Sequence, residues 1–160
     1  MNTAIVYYSL NGNTKFAASR IAEKLNADLI ELHPKKAYHD KGFKKFYFGG
    51  KSAVMGEKPE LMPYEFNADK YDTIILGMPV WASCITPPLR TFLEEYKDLL
   101  KNKEIAVILC QSGSGANKVL EKLKKLLGRE SFKAELVLID PKTNPKDENE
   151  LKINKFCIEF

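Results

Sequence analysis

Five short apolar runs, separated by amphipathic stretches, constrain this chain more than any other feature. The runs cover 3–8, 28–32, 73–78, 105–110 and 135–140 and are rich in Ile, Val, Leu and Tyr. Several are continuously apolar rather than alternating, as parallel strands covered on both faces must be. The stretches between them carry helical stripes. Ala18, Ile21, Ala22 and Leu25 share one face, and Leu89, Phe92, Leu93, Tyr96 and Leu100 share another after Pro87-Pro88. A third is formed by Ala116, Val119, Leu120, Leu123 and Leu127 and stopped by Gly128, and a last by Ile153, Phe156, Cys157 and Phe160 behind Pro145. Alternating strands and helices predict an α/β fold, a doubly wound parallel sheet with right-handed crossovers. Such sheets bind ligands beyond the carboxyl ends of their strands, where strand order reverses.

At 160 residues the chain is expected to form a single domain over 1–160. A domain of this size buries about two-thirds of its unfolded surface and needs no disulfide or metal staple. Charged residues make up 29% of it, and the longest apolar run, around 74–78, is far short of a membrane span. Met1 leads directly into a strand-like run with no secretory signal, so a cytoplasmic protein is expected. Cys84, Cys110 and Cys157 form no CxxC pair, and His33 and His39 lie far from any cysteine cluster. A disulfide framework and a structural metal are therefore set aside. The segment 34–67 is long for a connection, as functional loops often are. A helix within 41–53 would suit the crossover, with Gly49-Gly50 as a candidate interruption.

Three loops follow the first, third and fourth strands. Ser9-Leu10-Asn11-Gly12-Asn13-Thr14 leads straight into a helix. Its glycine, short polar side chains and helix N-terminus make a phosphate cradle of neutral donors, although the same residues also make an ordinary capped turn. It is no nucleoside-triphosphate loop, since GxxxxGK[ST] is absent. The second loop, Pro79-Val80-Trp81-Ala82-Ser83-Cys84, carries the chain's one tryptophan, either a wall for a flat aromatic ligand or a cap on the core. The third, Gln111 to Asn117, offers Ser112, Gly113, Ser114 and Gly115 for close backbone approach to a polar ring edge, or is a plain flexible turn. Together at one sheet edge they suit a phosphorylated flat heterocycle.

On these residues the chain resembles the flavodoxin family, in its short form. IVYYSLNGNTKFAASRIAEKL is similar to the family's FMN-phosphate loop and first helix, and YDTIILGMPVWASCITPPLRTFLEEY to its third strand, isoalloxazine loop and next helix. The resemblance implies a three-layer α/β/α fold with a five-stranded sheet of order 2-1-3-4-5. It implies that Ser9, Asn11, Gly12, Asn13 and Thr14 hold the FMN phosphate. Pro79, Val80, Trp81, Ala82, Ser83 and Cys84 would line one side of the isoalloxazine, and Ser112, Gly113 and Gly115 the other. No side chain is then needed as acid, base or nucleophile.

Two departures from the family bear on function. Flavodoxins are strongly acidic, which helps make the reduced anionic flavin a strong reductant, whereas this chain carries +4. They also commonly stack an aromatic from the loop after strand four on the outer flavin face, and Gln111–Asn117 holds none. The first expectation is an electron-transfer flavoprotein serving redox partner proteins. The alternative is an FMN-dependent reductase taking hydride from NAD(P)H and passing electrons to a small acceptor such as a quinone.

Other patterns point elsewhere. Cys84 and Arg90 have the Cys-x5-Arg spacing of cysteine phosphatases, but Pro87 and Pro88 remove two N–H donors that such a loop requires. A phospho-acceptor receiver domain needs an aspartate where Met78-Pro79 stands. Seven lysines between Lys35 and Lys58, interleaved with Tyr38, Phe43, Phe46, Tyr47 and Phe48, suggest a solvated helix packed on the sheet. A docking face for an acidic redox partner is a second reading, and single-stranded nucleic acid a less favoured third.

Overall fold

The computed structural model describes residues 2–38 and 49–160. The strands are β1 (Thr3–Tyr7), β2 (Asp28–Glu31), β3 (Thr73–Pro79), β4 (Glu104–Gln111) and β5 (Glu135–Ile139). They form one parallel sheet in the order β2-β1-β3-β4-β5. The strand ends differ from the expected ones by a residue or so, because the last paired residue depends on the neighbouring strand.

Alternation along each strand sends successive side chains to opposite faces. Val6, Leu76, Val107 and Leu109 face one way and Ile5, Ile75, Ala106 and Ile108 the other, all fully buried. Helices α1 (Asn13–Leu25) and α4 (Asp147–Ile158) cover the second face through Ala17, Ala18, Ile21, Ile153 and Phe156. Helices α2 (Pro87–Tyr96) and α3 (Ala116–Leu127) cover the first through Leu89, Phe92, Val119 and Leu123. The result is a three-layer α/β/α arrangement. Gly128 ends α3 with φ 62°, while Leu100, counted in the stripe of α2, is buried from a turn beyond that helix.

The long connection after β2 is tied down at both ends. Met62 N–H donates to His33 O (2.7 Å) and Lys35 N–H to Glu60 O (2.9 Å). Residues 49–54 are helical. Gly49 and Gly50 are thus helical themselves, and the part of the expected 41–53 helix that precedes them lies outside the described residues. A Cβ on Gly49 would stand 3.3 Å from the Trp81 ring. The rest of the predicted basic-aromatic segment, 39–48, lies outside the described residues. Among the described residues no helix is long and apolar enough to cross a membrane.

Candidate functional site

Because β1, β3 and β4 are neighbours, the loops leaving their carboxyl ends meet around one cavity of about 430 Å³. Ser9, Asn11, Asn13 and Thr14 line it from the first loop, Pro79, Val80, Trp81 and Ala82 from the second, and Ser112 and Gly113 from the third. Gly12, Ser83, Cys84 and Gly115 do not line it, and their loops reach it through neighbouring residues instead. Leu10, Gly50, Cys110, Gln111, Ser114 and Asp140 line it as well, although none of them is among the expected flavin contacts. Leu10, Gln111 and Ser114 had a usable signal, being adjacent in sequence to predicted residues, and Cys110 stands one position further away. Gly50 and Asp140 had none.

The first loop presents donors. Gly12 is the N-cap of α1 at φ 83° and offers no side-chain cap. The N–H groups of the first helical turn have no intrahelical acceptor. Ser9 Oγ accepts that of Lys15 at 3.1 Å, which leaves the Ser9 proton to donate elsewhere. Thr14 lines the cavity, and its Oγ1 is buried beside the Cys110 thiol without a well-formed hydrogen bond. A buried hydroxyl in that state costs about 1–3 kcal/mol. Asn13 is differently employed. Its Oδ1 accepts from Lys142 N (2.8 Å) and Thr143 N (3.2 Å), so the side chain pins the β5–α4 connection to the start of α1.

The second loop is a tight turn. Cys84 N–H donates to Trp81 O at 2.9 Å across Ala82 (φ 48°) and Ser83 (φ 56°), both left-handed. Trp81 stands edge-on to Tyr8 (5.6 Å, 88°) and Tyr38 (5.2 Å, 75°), with helical residues 49–50 packed beside the turn. It serves both readings at once, capping the core and walling the cavity. Cys84 is only 7% exposed and receives Lys122 Nζ at 2.9 Å. The turn folds it inward, away from the cavity, so it is not placed as a phosphatase nucleophile would be.

The third loop is held against the second. A Cβ on Gly115 (φ 112°) would run into the Ser83 hydroxyl and stand 3.3 Å from Val80 Cγ1. Gln111 Oε1 accepts Ala116 N–H at 3.1 Å, and Ser112 Oγ donates to Asp140 Oδ1 at 2.7 Å. Burial pushes the Cys110 thiol up to about 12, so it lines the cavity as a neutral group. Among the described residues no three His, Cys, Asp or Glu side chains are grouped to hold a metal. The cavity thus combines a first loop of neutral donors, an apolar aromatic wall and a small polar wall that carries one carboxylate, Asp140, held by Ser112. That arrangement fits a phosphate monoester attached to a flat ring.

The family model described as flavodoxin matches residues 2–151. No significant match is found among curated proteins. Among solved structures, a flavoprotein from Lactobacillus acidophilus in complex with FMN aligns with TM-score 0.75 at 19% identity, over 97% of each chain. Two-electron reduced flavodoxin from Megasphaera elsdenii aligns with TM-score 0.62 at 16% identity, over 98% of this chain and 96% of its own. At such identities these likenesses speak to the fold.

Proposed function

The chain belongs to the flavodoxin family, and from that premise we propose that it holds FMN non-covalently in this cavity and passes electrons through it as a carrier. The observation that carries the reading is the buried Thr14 hydroxyl, left without a partner in the cavity wall at the start of α1. When bound, FMN supplies the redox chemistry, and the protein supplies orientation, access and electrostatics. Ser9, Thr14 and the N–H groups opening α1 would hold the phosphate. Pro79, Val80 and Trp81 would exclude water from one side of the ring system. The backbone of Ser112 and Gly113 would meet its polar edge.

One observation favours the reductase as a second reading. Trp81 is the sole aromatic lining the cavity among the described residues, and the third loop contributes only Gln111, Ser112, Gly113 and Ser114. Small residues there leave room for a nicotinamide or a flat acceptor. The net charge of +4 also argues against the strongly reducing role of acidic family members.

Anaerobic mixing of the FMN-loaded protein with excess NADH or NADPH, followed by flavin absorbance, separates the two. A carrier stays oxidised with either nucleotide and bleaches only with dithionite. Bleaching faster than free FMN would replace the carrier by the reductase.

Replacing Thr14 by valine should change stability and binding in opposite directions. The protein without flavin gains about 1 kcal/mol, because a buried hydroxyl without a partner disappears. FMN affinity falls by about 10-fold to 100-fold, the value of a hydrogen bond to a charged oxygen. Thermal melting and quenching of flavin fluorescence read the two effects. A Thr14→Val protein binding FMN as tightly as wild type would remove Thr14 from the site.

A further inference from the structure

The β5–α4 connection brings a cation to a place where the helix disfavours one. Lys142 N–H and Thr143 N–H both donate to Asn13 Oδ1, which fixes the Lys142 backbone at the first residue of α1. The Lys142 side chain then lies over Gly12, with its Nζ 2.7 Å from where a Gly12 Cβ would be. This is the positive end of the helix dipole, and the first turn of α1 holds no acidic residue to balance it. The other lysine beside the loop, Lys15, is already paired with Glu31 at 2.7 Å. Lys142 makes no ion pair among the described residues. Asp140, the carboxylate on the same connection, has one oxygen engaged by Ser112 Oγ at 2.7 Å and by Asn13 Nδ2 at 3.5 Å. A free cation and a helix N-terminus at one loop, with the buried unpartnered Thr14 hydroxyl in the adjoining cavity wall, are complementary to an anion.

We propose that Lys142 is the charge partner of the ligand's phosphate, so that the β5–α4 connection completes a cradle whose own loop carries only neutral donors. This rests on the FMN reading and extends it. The consequence is selectivity, since a phosphate monoester gains from the lysine and the dephosphorylated flavin gains nothing. It also makes binding salt-sensitive, because the lysine is exposed.

The test measures dissociation constants of FMN and riboflavin by flavin fluorescence, at low and high salt, for wild type, Lys142→Gln and Lys142→Arg. Lys142→Gln is expected to weaken FMN by about 5-fold to 10-fold and to flatten its salt dependence. Riboflavin affinity stays unchanged, and Lys142→Arg keeps most of the FMN affinity. Inorganic phosphate should compete with FMN less effectively in Lys142→Gln than in wild type. Unchanged FMN affinity and salt dependence in Lys142→Gln would overturn the proposal. Equal weakening of FMN and riboflavin would also overturn it, by showing that the lysine only shapes the loop. A wild-type protein that binds neither flavin would overturn the FMN reading itself, whereas the first two outcomes leave that reading standing.

Discussion

Gly115→Val is expected to lower the melting temperature by about 10 °C and to weaken FMN binding by about 100-fold. Two physical terms combine. At φ 112° a β-branched residue is strained by about 1–3 kcal/mol. Its Cβ also runs into the Ser83 hydroxyl and crowds Val80, so one loop must move off the other, at about 1–3 kcal/mol. For a chain of this length each kcal/mol moves the midpoint by about 2–4 °C. The binding loss follows because Val80 and Ser112 line the cavity from the two loops that separate. Gly113 is the control. A Cβ there meets nothing within 4 Å, so Gly113→Ala should melt within about 2 °C of wild type. If Gly115→Val melts and binds like Gly113→Ala, the two loops are not in contact.

Trp81→Ala should cost about 2–3 kcal/mol of stability and remove most FMN affinity. Truncating a fully buried tryptophan costs about 3–5 kcal/mol, and Trp81 is half-buried. The lost contacts are the edges of Tyr8 and Tyr38 and the helical residues beside Gly49. Trp81→Phe retains an apolar wall and should lose less than half as much of both quantities. Calorimetry and flavin titration measure the pair. A stable Trp81→Ala protein that still bound FMN tightly would show that neither the long connection nor the ligand is seated on this ring.

How much of this was legible beforehand depends on the range of the interactions. The strands were visible because burial on both faces demands unbroken apolar runs such as Ile74-Ile75-Leu76. The first loop was visible because a positive φ before a helix requires a residue like Gly12. Ala82 and Ser83 gave no such signal, since their left-handed conformations are imposed by the turn joining Trp81 to Cys84. The same turn buries Cys84, which its polar loop neighbours do not signal. Local propensity makes Gly49-Gly50 a candidate break, and nothing in the local sequence signals that a Cβ on Gly49 would crowd the Trp81 ring.

The layered α/β class, the strands and helices, and the loops that carry donors, an aromatic and small polar residues are all written in the local sequence. These follow from periodicity and local backbone chemistry, which need no knowledge of distant neighbours. What those loops meet is set by the folded arrangement. Asn13 is tied to Lys142 and Thr143, Gly115 makes room for Ser83, and Gly50 and Asp140 complete the cavity wall. Each of these contacts joins residues far apart in the chain, and the parallel crossovers, not the local sequence, set their distance in space.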